Sequence, residues 1–410
     1  MLTLFAALTI VSSTTTCHPS DSGSPQTSDS DRIWTLDLPD ELKGAIYQAA
    51  LVADDVPFVL ATTSSDVLRI EGDAFKIGNA VSLFHLEKPA NAGERMILPS
   101  PAVATTFAET PVGIALHEHR AITRFRLVTV ANLAGRTLKG EVLADLPDRR
   151  HFHYLVAPDG QSFVGLDSGG EHTRIKAKRL IYRFFTRTGR IISEVPSSPA
   201  PWVDSSYSPD GRAFLINSKK DGLSSYDPSV AKRIWNIPGD VKFFAAANGK
   251  TRRVLVVMTD SVHKAHLYEA GNLSWTIDLK DSATNESVRN VAISPNGELA
   301  VVSNNRDLLI LGASSSALQG RYRVGEGLTI NSVVVSNKGL IAVGAQQAGL
   351  KGAEMAFGKV FVLDKTGKLL FQENTQHQRS NAWTPIVQID PSGRFLLVRT
   401  VESLHLRSLH

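Results

Sequence analysis

Short apolar runs, each cut off by a turn, recur along the chain. VRNVAI precedes Ser294-Pro295-Asn296-Gly297 and ELAVVS follows it; WVDSSY precedes Ser208-Pro209-Asp210-Gly211 and RAFLINS follows it. Runs of this length, apolar throughout or alternating with polar residues, are what sandwiched or half-buried strands look like. No stripe with a 3.6-residue period extends beyond about ten residues. The best helical candidate, Asp40 to Val52, aligns with the unit that begins Leu146-Pro147-Asp148, which makes its second half a first strand instead. The pattern predicts an all-β chain.

The turns repeat. Ala157-Pro158-Asp159-Gly160, Ser208-Pro209-Asp210-Gly211, Ser294-Pro295-Asn296-Gly297 and Asp390-Pro391-Ser392-Gly393 share one design, with degenerate copies at Ala247-Asn248-Gly249 and Ser336-Asn337-Lys338-Gly339. Proline presets φ at the second turn position, Asp, Asn or Ser suits the third, and glycine relieves the fourth. The glycines are spaced by 51, 38, 48, 42 and 54 residues. Two diverged units precede them, turning near Asp54-Asp55-Val56-Pro57 and Glu109-Thr110-Pro111. An aliphatic-proline pair closes several units: Leu38-Pro39, Leu98-Pro99, Leu146-Pro147, Val195-Pro196 and Ile237-Pro238. Proline at a strand end costs no ladder hydrogen bond. A third marker lies between the third and fourth strands, where Thr188-Gly189-Arg190 and Asp364-Lys365-Thr366-Gly367-Lys368 turn and where Trp235 and Trp275 sit on the strand that follows.

A 40- to 50-residue repeat of four short strands predicts a single β-propeller over residues 32–410. Seven complete units run from about 40 to 374. The final unit that follows them has three strands, ending in RFLLVRT and SLHLRSL. Its fourth is expected from the other terminus, because Arg32-Ile33-Trp34-Thr35-Leu36-Asp37-Leu38-Pro39 matches Leu273 to Leu279 and Lys232 to Pro238. Eight four-stranded blades closed by that N-terminal strand is the expected architecture; seven is the alternative if the weakly patterned stretch 49–98 is not a full blade.

The phrases LDKTGKLLF at 363–371 and YDPSVAKRIW at 226–235 resemble the repeat of the PQQ-like, quinoprotein-type propellers, and SPDGR and SPNGE resemble bacterial WD40-like repeats. The likeness covers most of residues 32–410 and rests on turn and packing residues, so it implies a fold rather than an activity. Quinone-dependent members stack their cofactor on a disulfide of adjacent cysteines. This chain has one cysteine, Cys17, so that chemistry is not implied and no cofactor is expected.

The N-terminus modifies the picture. Leu2 to Val11 is an apolar run too short to span a bilayer of about 30 Å but long enough for a secretory signal core. It leads to Thr14-Thr15-Thr16-Cys17. This placement resembles a bacterial lipoprotein signal, which implies residues 1–16 as signal peptide and lipidation of Cys17; a plainly cleaved signal and a soluble secreted chain is the alternative. Residues 17–31 form a Ser-, Pro- and Asp-rich tether with no large apolar side chain. The net charge of the chain is +4, and the tether carries Asp21, Asp29 and Asp31 without a cation, so the body is the more basic part.

Candidate chemistry is sparse. Trp34, Trp235 and Trp275 occupy equivalent positions and read as packing between blades. Trp202 and Trp383 are expected in first strands, nearer the central channel, where they are candidates for ligand contact as well as for packing. His151 and His153, and likewise His117 and His119, stand two apart, a spacing that puts both on one strand face, but no third metal ligand accompanies either pair. No nucleophile elbow, calcium loop or phosphate-cradling glycine loop is present, and no catalytic residue is assigned. The strongest charge feature is Arg174, Lys176, Lys178, Arg179, Arg183, Arg187 and Arg190 against Glu171 alone. It reads either as a solvated strand edge or as a docking patch for an anionic partner.

Two function classes follow. The favoured one is a non-enzymatic, lipid-anchored scaffold of the bacterial cell envelope, similar in outline to the eight-bladed lipoprotein of the outer-membrane barrel-assembly machinery. Its partners would be an envelope protein or an anionic surface, with the membrane reached only through the lipid and no nucleic acid bound. The alternative is an exported propeller enzyme, of lactonase or lyase type, acting at the channel mouth.

Overall fold

The computed structural model describes the strands alone between residues 32 and 156, and beyond them 157–167, 180–198, 205–278, 287–315, 317–347, 356–377, 385–400 and 403–409. Side chains are described for 124–129, 141–147 and, from 153 onward, those same ranges except 356, 376 and 377. Cys17 and the tether lie outside the described residues.

Eight four-stranded antiparallel sheets, numbered in chain order, follow one another. Sheets 1 and 2 are built from Ile46–Val52, Phe58–Ser64, Asn79–His85 and Arg95–Ile97, then Ala102–Phe107, Pro111–Glu118, Ala121–Thr129 and Glu141–Pro147. Sheet 3 holds His151–Val156, Ser162–Asp167, Leu180–Thr186 and Ile191–Ser197; sheet 4 holds Ser205–Tyr207, Phe214–Ser218, Gly222–Asp227 and Lys232–Ile237. Sheet 5 comprises Val241–Ala246, Arg253–Met258, Lys264–Glu269 and Asn272–Asp278; sheet 6 comprises Asn290–Ile293, Leu299–Ser303, Asp307–Gly312 and Leu318–Arg323. Sheet 7 runs through Leu328–Val335, Ile341–Gln347, Ala356–Leu363 and Leu369–His377. Sheet 8 has Ile386–Ile389, Phe395–Arg399 and Ser403–Ser408, and its fourth strand is Arg32–Asp37, which pairs antiparallel with Ser403–Ser408 and sets Leu36 opposite Leu404. An extra hairpin, Arg69–Glu71 with Ala74–Lys76, interrupts sheet 1. The stretch 49–98 thus contains a four-stranded sheet, and no helix occurs among the described residues.

The turns between first and second strands form as the repeat predicts. The amide of Gly160 donates to Ala157 O, Gly211 to Ser208 O, Gly297 to Ser294 O and Gly393 to Asp390 O, at 2.8 to 2.9 Å. Each of these glycines has φ between +65° and +74°, a conformation that costs L-residues about 1 kcal/mol or more. The degenerate copy at Ser336–Gly339 forms in the same way, with Gly339 at φ 80° donating to Ser336 O at 3.1 Å, but the copy at Ala247–Gly249 differs. There the left-handed residue is Arg252 (φ 52°) rather than Gly249, whose amide instead donates to Asp210 Oδ1 in the preceding sheet at 2.9 Å. Neighbouring turns are linked again where Asn248 N donates to Pro295 O and Asn337 N to Pro391 O, both at 2.8 Å.

Burial peaks at the second strand, with first strands such as Val241–Ala246 mostly half-buried. Ser162–Asp167, Phe214–Ser218 and Leu299–Ser303 are buried throughout, whereas the fourth strand Asn272–Asp278 is mostly exposed. Sheets pack face to face, so a second strand is covered on both sides and reads as continuous apolar sequence. Across the junction of sheets 2 and 3 Phe125 stacks on Tyr154 at 3.9 Å and tilts against Phe163 at 4.9 Å, while Phe163 stacks on its cross-strand partner Phe185 within sheet 3 at 4.8 Å. Leu255, Val257, Ile293 and Val302 fill the junction of sheets 5 and 6, and Val301, Ile310, Val343 and Phe361 that of 6 and 7. Sheet 8 packs on sheet 7 through Val362, Val387 and Val398. The first strands of sheets 8 and 1 also touch.

Candidate functional site

Of the basic segment 174–190, the described residues include Arg183, Arg187 and Arg190, and these three differ in exposure. Arg174, Lys176, Lys178 and Arg179 lie outside the described residues. Arg183, expected on an outer edge, is buried on the third strand of sheet 3. Its Nε donates to Glu194 Oε1 at 2.6 Å, the residue directly opposite it, and an Nη lies 3.6 Å from Asp167 Oδ2. A guanidinium buried between two carboxylates braces a sheet and does not offer itself to a partner. Arg187 is half-buried, and its amide donates to Gln161 O. Arg190, at the turn into the fourth strand, is exposed.

The histidine reading meets an obstacle in the backbone. His151 pairs with Asp167 and His153 with Leu166, so the register steps by one at Phe152 and the rule that positions two apart share a face fails across that bulge. His117 falls at the end of Pro111–Glu118, opposite Ile122; His119 lies outside the described residues. Trp202 and Trp383 also lie outside them, and the described first strands begin further on, at Ser205 and Ile386. Trp235 is buried between sheets 4 and 5, and Trp275 Nε1 donates to Ala313 O of sheet 6 at 2.7 Å. Of Trp34 the backbone position is described, opposite Leu406.

A cluster that sequence reasoning did not single out joins sheets 7 and 8. Glu373 accepts from Arg407 through both oxygens, Nη2 to Oε1 at 2.6 Å and Nε to Oε2 at 3.0 Å. His405 Nδ1 stands 3.0 Å from Glu373 Oε1, and its Nε2 is 2.7 Å from Ser403 Oγ, which is 2.9 Å from Thr400 Oγ1. Burial pushes the Glu373 carboxyl up, but hydrogen bonds from His405 and Arg407 and their charges outweigh it and bring the pKa to about 2. Hydroxyl, imidazole and carboxylate stand in the order of an activated nucleophile. Here the hydroxyl is buried and held by Thr400, and the carboxylate is committed to Arg407. The arrangement acts as a polar rivet between two sheets. Its one sequence signal was the alternation Ser403, His405, Arg407 along a single strand. Among the described residues, no three His, Cys, Asp or Glu gather as metal ligands would.

With this geometry the chain is similar to solved β-propellers. Propellers of the WD40 and PQQ-like types are among them. A computationally designed protein, Ika8, aligns over 92% of this chain and 100% of its own with a TM-score of 0.60 at 12% identity. Sqt1 from Chaetomium thermophilum, bound to the N-terminus of the ribosomal protein L10, aligns over 92% and 100% with a TM-score of 0.59 at 13% identity. BamB from Moraxella catarrhalis aligns over 92% and 99% with a TM-score of 0.53 at 12% identity. No protein-family model and no curated protein matches the sequence. At these identities the likeness establishes the β-propeller fold and nothing about activity.

Proposed function

We propose that the chain is an exported, eight-bladed propeller, closed by Arg32–Asp37 beside Ser403–Ser408, tethered to the bacterial envelope through Cys17, and serving as a non-enzymatic scaffold for a protein partner. One observation carries the reading. Successive sheets deliver their turns to one shared end, where the first-to-second turns are hydrogen-bonded to one another (Asp210 with Gly249, Asn248 with Pro295, Asn337 with Pro391) and different exposed side chains stand at each. A broad surface composed from many turns suits a macromolecular partner better than a small molecule. The buried ionisable groups, by contrast, are spent inside and between sheets, as at Arg183 and Glu373. The Sqt1 propeller, which holds the N-terminus of L10, is a precedent for a propeller surface taking a peptide.

The test is crosslinked pull-down from native envelopes. The wild-type chain is expected to recover a specific partner in the membrane fraction, and Cys17→Ala to move the protein to the soluble fraction with a lower yield of the same partner. Recovery of no partner with either chain overturns the scaffold.

A further inference from the structure

Among the described residues, exposed large hydrophobics fall where the repeat puts them. In sheets 2 to 7 one large aliphatic stands within two residues of the start of each fourth strand: Val142, Ile191, Val230, Leu273, Leu318 and Leu370, each 46–58% exposed. Ile234 lies partway down the same strand of sheet 4, and Phe357 alone lies at the far end, where the third strand of sheet 7 begins. Scattered exposed aliphatics need no explanation, but a recurring position does.

The backbone supplies a local cause. In all six sheets the ladder between third and fourth strands slips by one residue beside this turn, between Leu127 and Val128, Phe184 and Phe185, Ser225 and Tyr226, Leu267 and Tyr268, Ile310 and Leu311, and Val362 and Leu363. A bulge re-aims the side chains next to it and breaks the alternation that would bury them.

Charge is sorted at the same end. In an antiparallel sheet of four consecutive strands, the first-to-second and third-to-fourth turns share one end, as the bonds Arg187 N to Gln161 O, Ala270 N to Arg252 O and Ala313 N to Glu298 O show. Arg190, Arg212, Lys232, Lys250, Lys338 and Lys368 are exposed there. Several acids at that end are folded into their own turns. Asp210 Oδ1 accepts from Ser208, Arg212 and Gly249; Asp227 Oδ1 from Ser229; Asp364 Oδ1 from Thr366 and Lys368; and Asp390 is buried. Glu141, Asp159, Glu269 and Glu298 are exposed at that end as well, but cations outnumber them, since Arg252, Lys365 and Arg394 are exposed there too. The surface therefore shows aliphatics interleaved with an excess of cations, the composition of a lipid-interface element.

The chain also enters the fold at this end. Arg32 pairs with Arg407, next to Ser408, which in turn pairs with Phe395 just past the Asp390–Gly393 turn. Arg32–Asp37 thus begins at the turn-rich end, 15 residues after Cys17.

We propose that this end, where no protein partner covers it, rests on an anionic bilayer surface, the aliphatics dipping between headgroups and the cations meeting lipid phosphates, so that membrane and partner compete for one face. The tethering proposed above would hold the chain near that membrane; the contact itself does not need it.

The test uses the full chain carrying Cys17→Ala, so no lipid can anchor it, in co-sedimentation with vesicles of phosphatidylglycerol and phosphatidylethanolamine or of phosphatidylcholine alone. Binding to the anionic vesicles is expected, weakened severalfold between 0.1 and 0.5 M salt as screening predicts, with little binding to phosphatidylcholine. Combining Ile191→Ser, Leu273→Ser, Leu318→Ser and Leu370→Ser should lower the partition constant at least about tenfold, while Phe357→Ser leaves it unchanged. These side chains are exposed, so an unaltered melting curve accompanies the loss. Absence of anionic binding, no effect of the fourfold variant, or equal loss with Phe357→Ser each overturns the proposal. Vesicle binding without a partner in the pull-down would sink the scaffold and leave this face standing; the reverse would sink this face alone.

Discussion

The junction of sheets 2 and 3 and that of sheets 7 and 8 join neighbouring sheets by different chemistry. The first is a cluster of aromatic rings, Phe125 against Tyr154 and Phe163, buried and non-directional. The second combines an aliphatic layer with the Glu373, His405 and Arg407 rivet. An apolar junction stabilises in proportion to area and tolerates small slips. A buried bidentate ion pair adds little net energy but penalises misalignment heavily, because a displaced partner leaves an uncompensated charge. The rivet sits on the sheet that borrows its fourth strand from the other terminus, the one place where register depends on strands far apart in sequence.

The contrast can be broken most strongly at the aromatic junction. Phe163→Ala is expected to cost about 3–5 kcal/mol through lost burial and a cavity, read as a lower urea midpoint of the full chain. Glu373→Gln is expected to cost about 3 kcal/mol at pH 7, and that cost should depend on pH. The folded carboxyl titrates at about 2, below its ordinary 4.5, so its stabilisation is fully present above the unfolded value and disappears as pH falls through the folded one. The gap between wild type and Glu373→Gln should therefore narrow as chemical denaturation is repeated from pH 7 down to 3, whereas Phe163→Ala shows no such trend. The smallest effect belongs to an exposed pair. Lys264 Nζ lies 3.7 Å from Asp278 Oδ2 with both side chains about two-fifths exposed, and Asp278→Asn should shift stability by no more than about 0.5 kcal/mol. A large effect there would mean that exposed and buried ion pairs are not distinct in this molecule.

Much of the fold was legible because it is written in residues with one conformational meaning. Proline and glycine at fixed turn positions set φ whatever surrounds them, so the turns at Gly160, Gly211, Gly297 and Gly393 could be read directly. The match of Trp34 with Trp235 and Trp275 marked Arg32–Asp37 as a fourth strand, and it takes that place beside Ser403–Ser408. The chemistry was less legible, because it depends on which residues meet across a ladder. Counting charges made Arg183 an edge cation, since nothing in local sequence shows that Glu194 stands opposite it. Strand alternation put His151 and His153 on one face, since a one-residue bulge leaves no mark in composition. Glu373 and Arg407 come from different sheets, and no spacing rule connects them. The bulges beside the third-to-fourth turns were equally silent, and they decide which aliphatics reach the surface.

The pairing of Arg32 with Arg407 has a kinetic consequence. The partners are 375 residues apart, so this pairing closes a far longer loop than any hairpin between consecutive strands. The other seven sheets can assemble in succession, each on its predecessor, but Arg32–Asp37 has no docking edge until Ser403–Ser408 arrives. Until then it is an unsatisfied β-edge, the kind of surface that holding chaperones exist to cover.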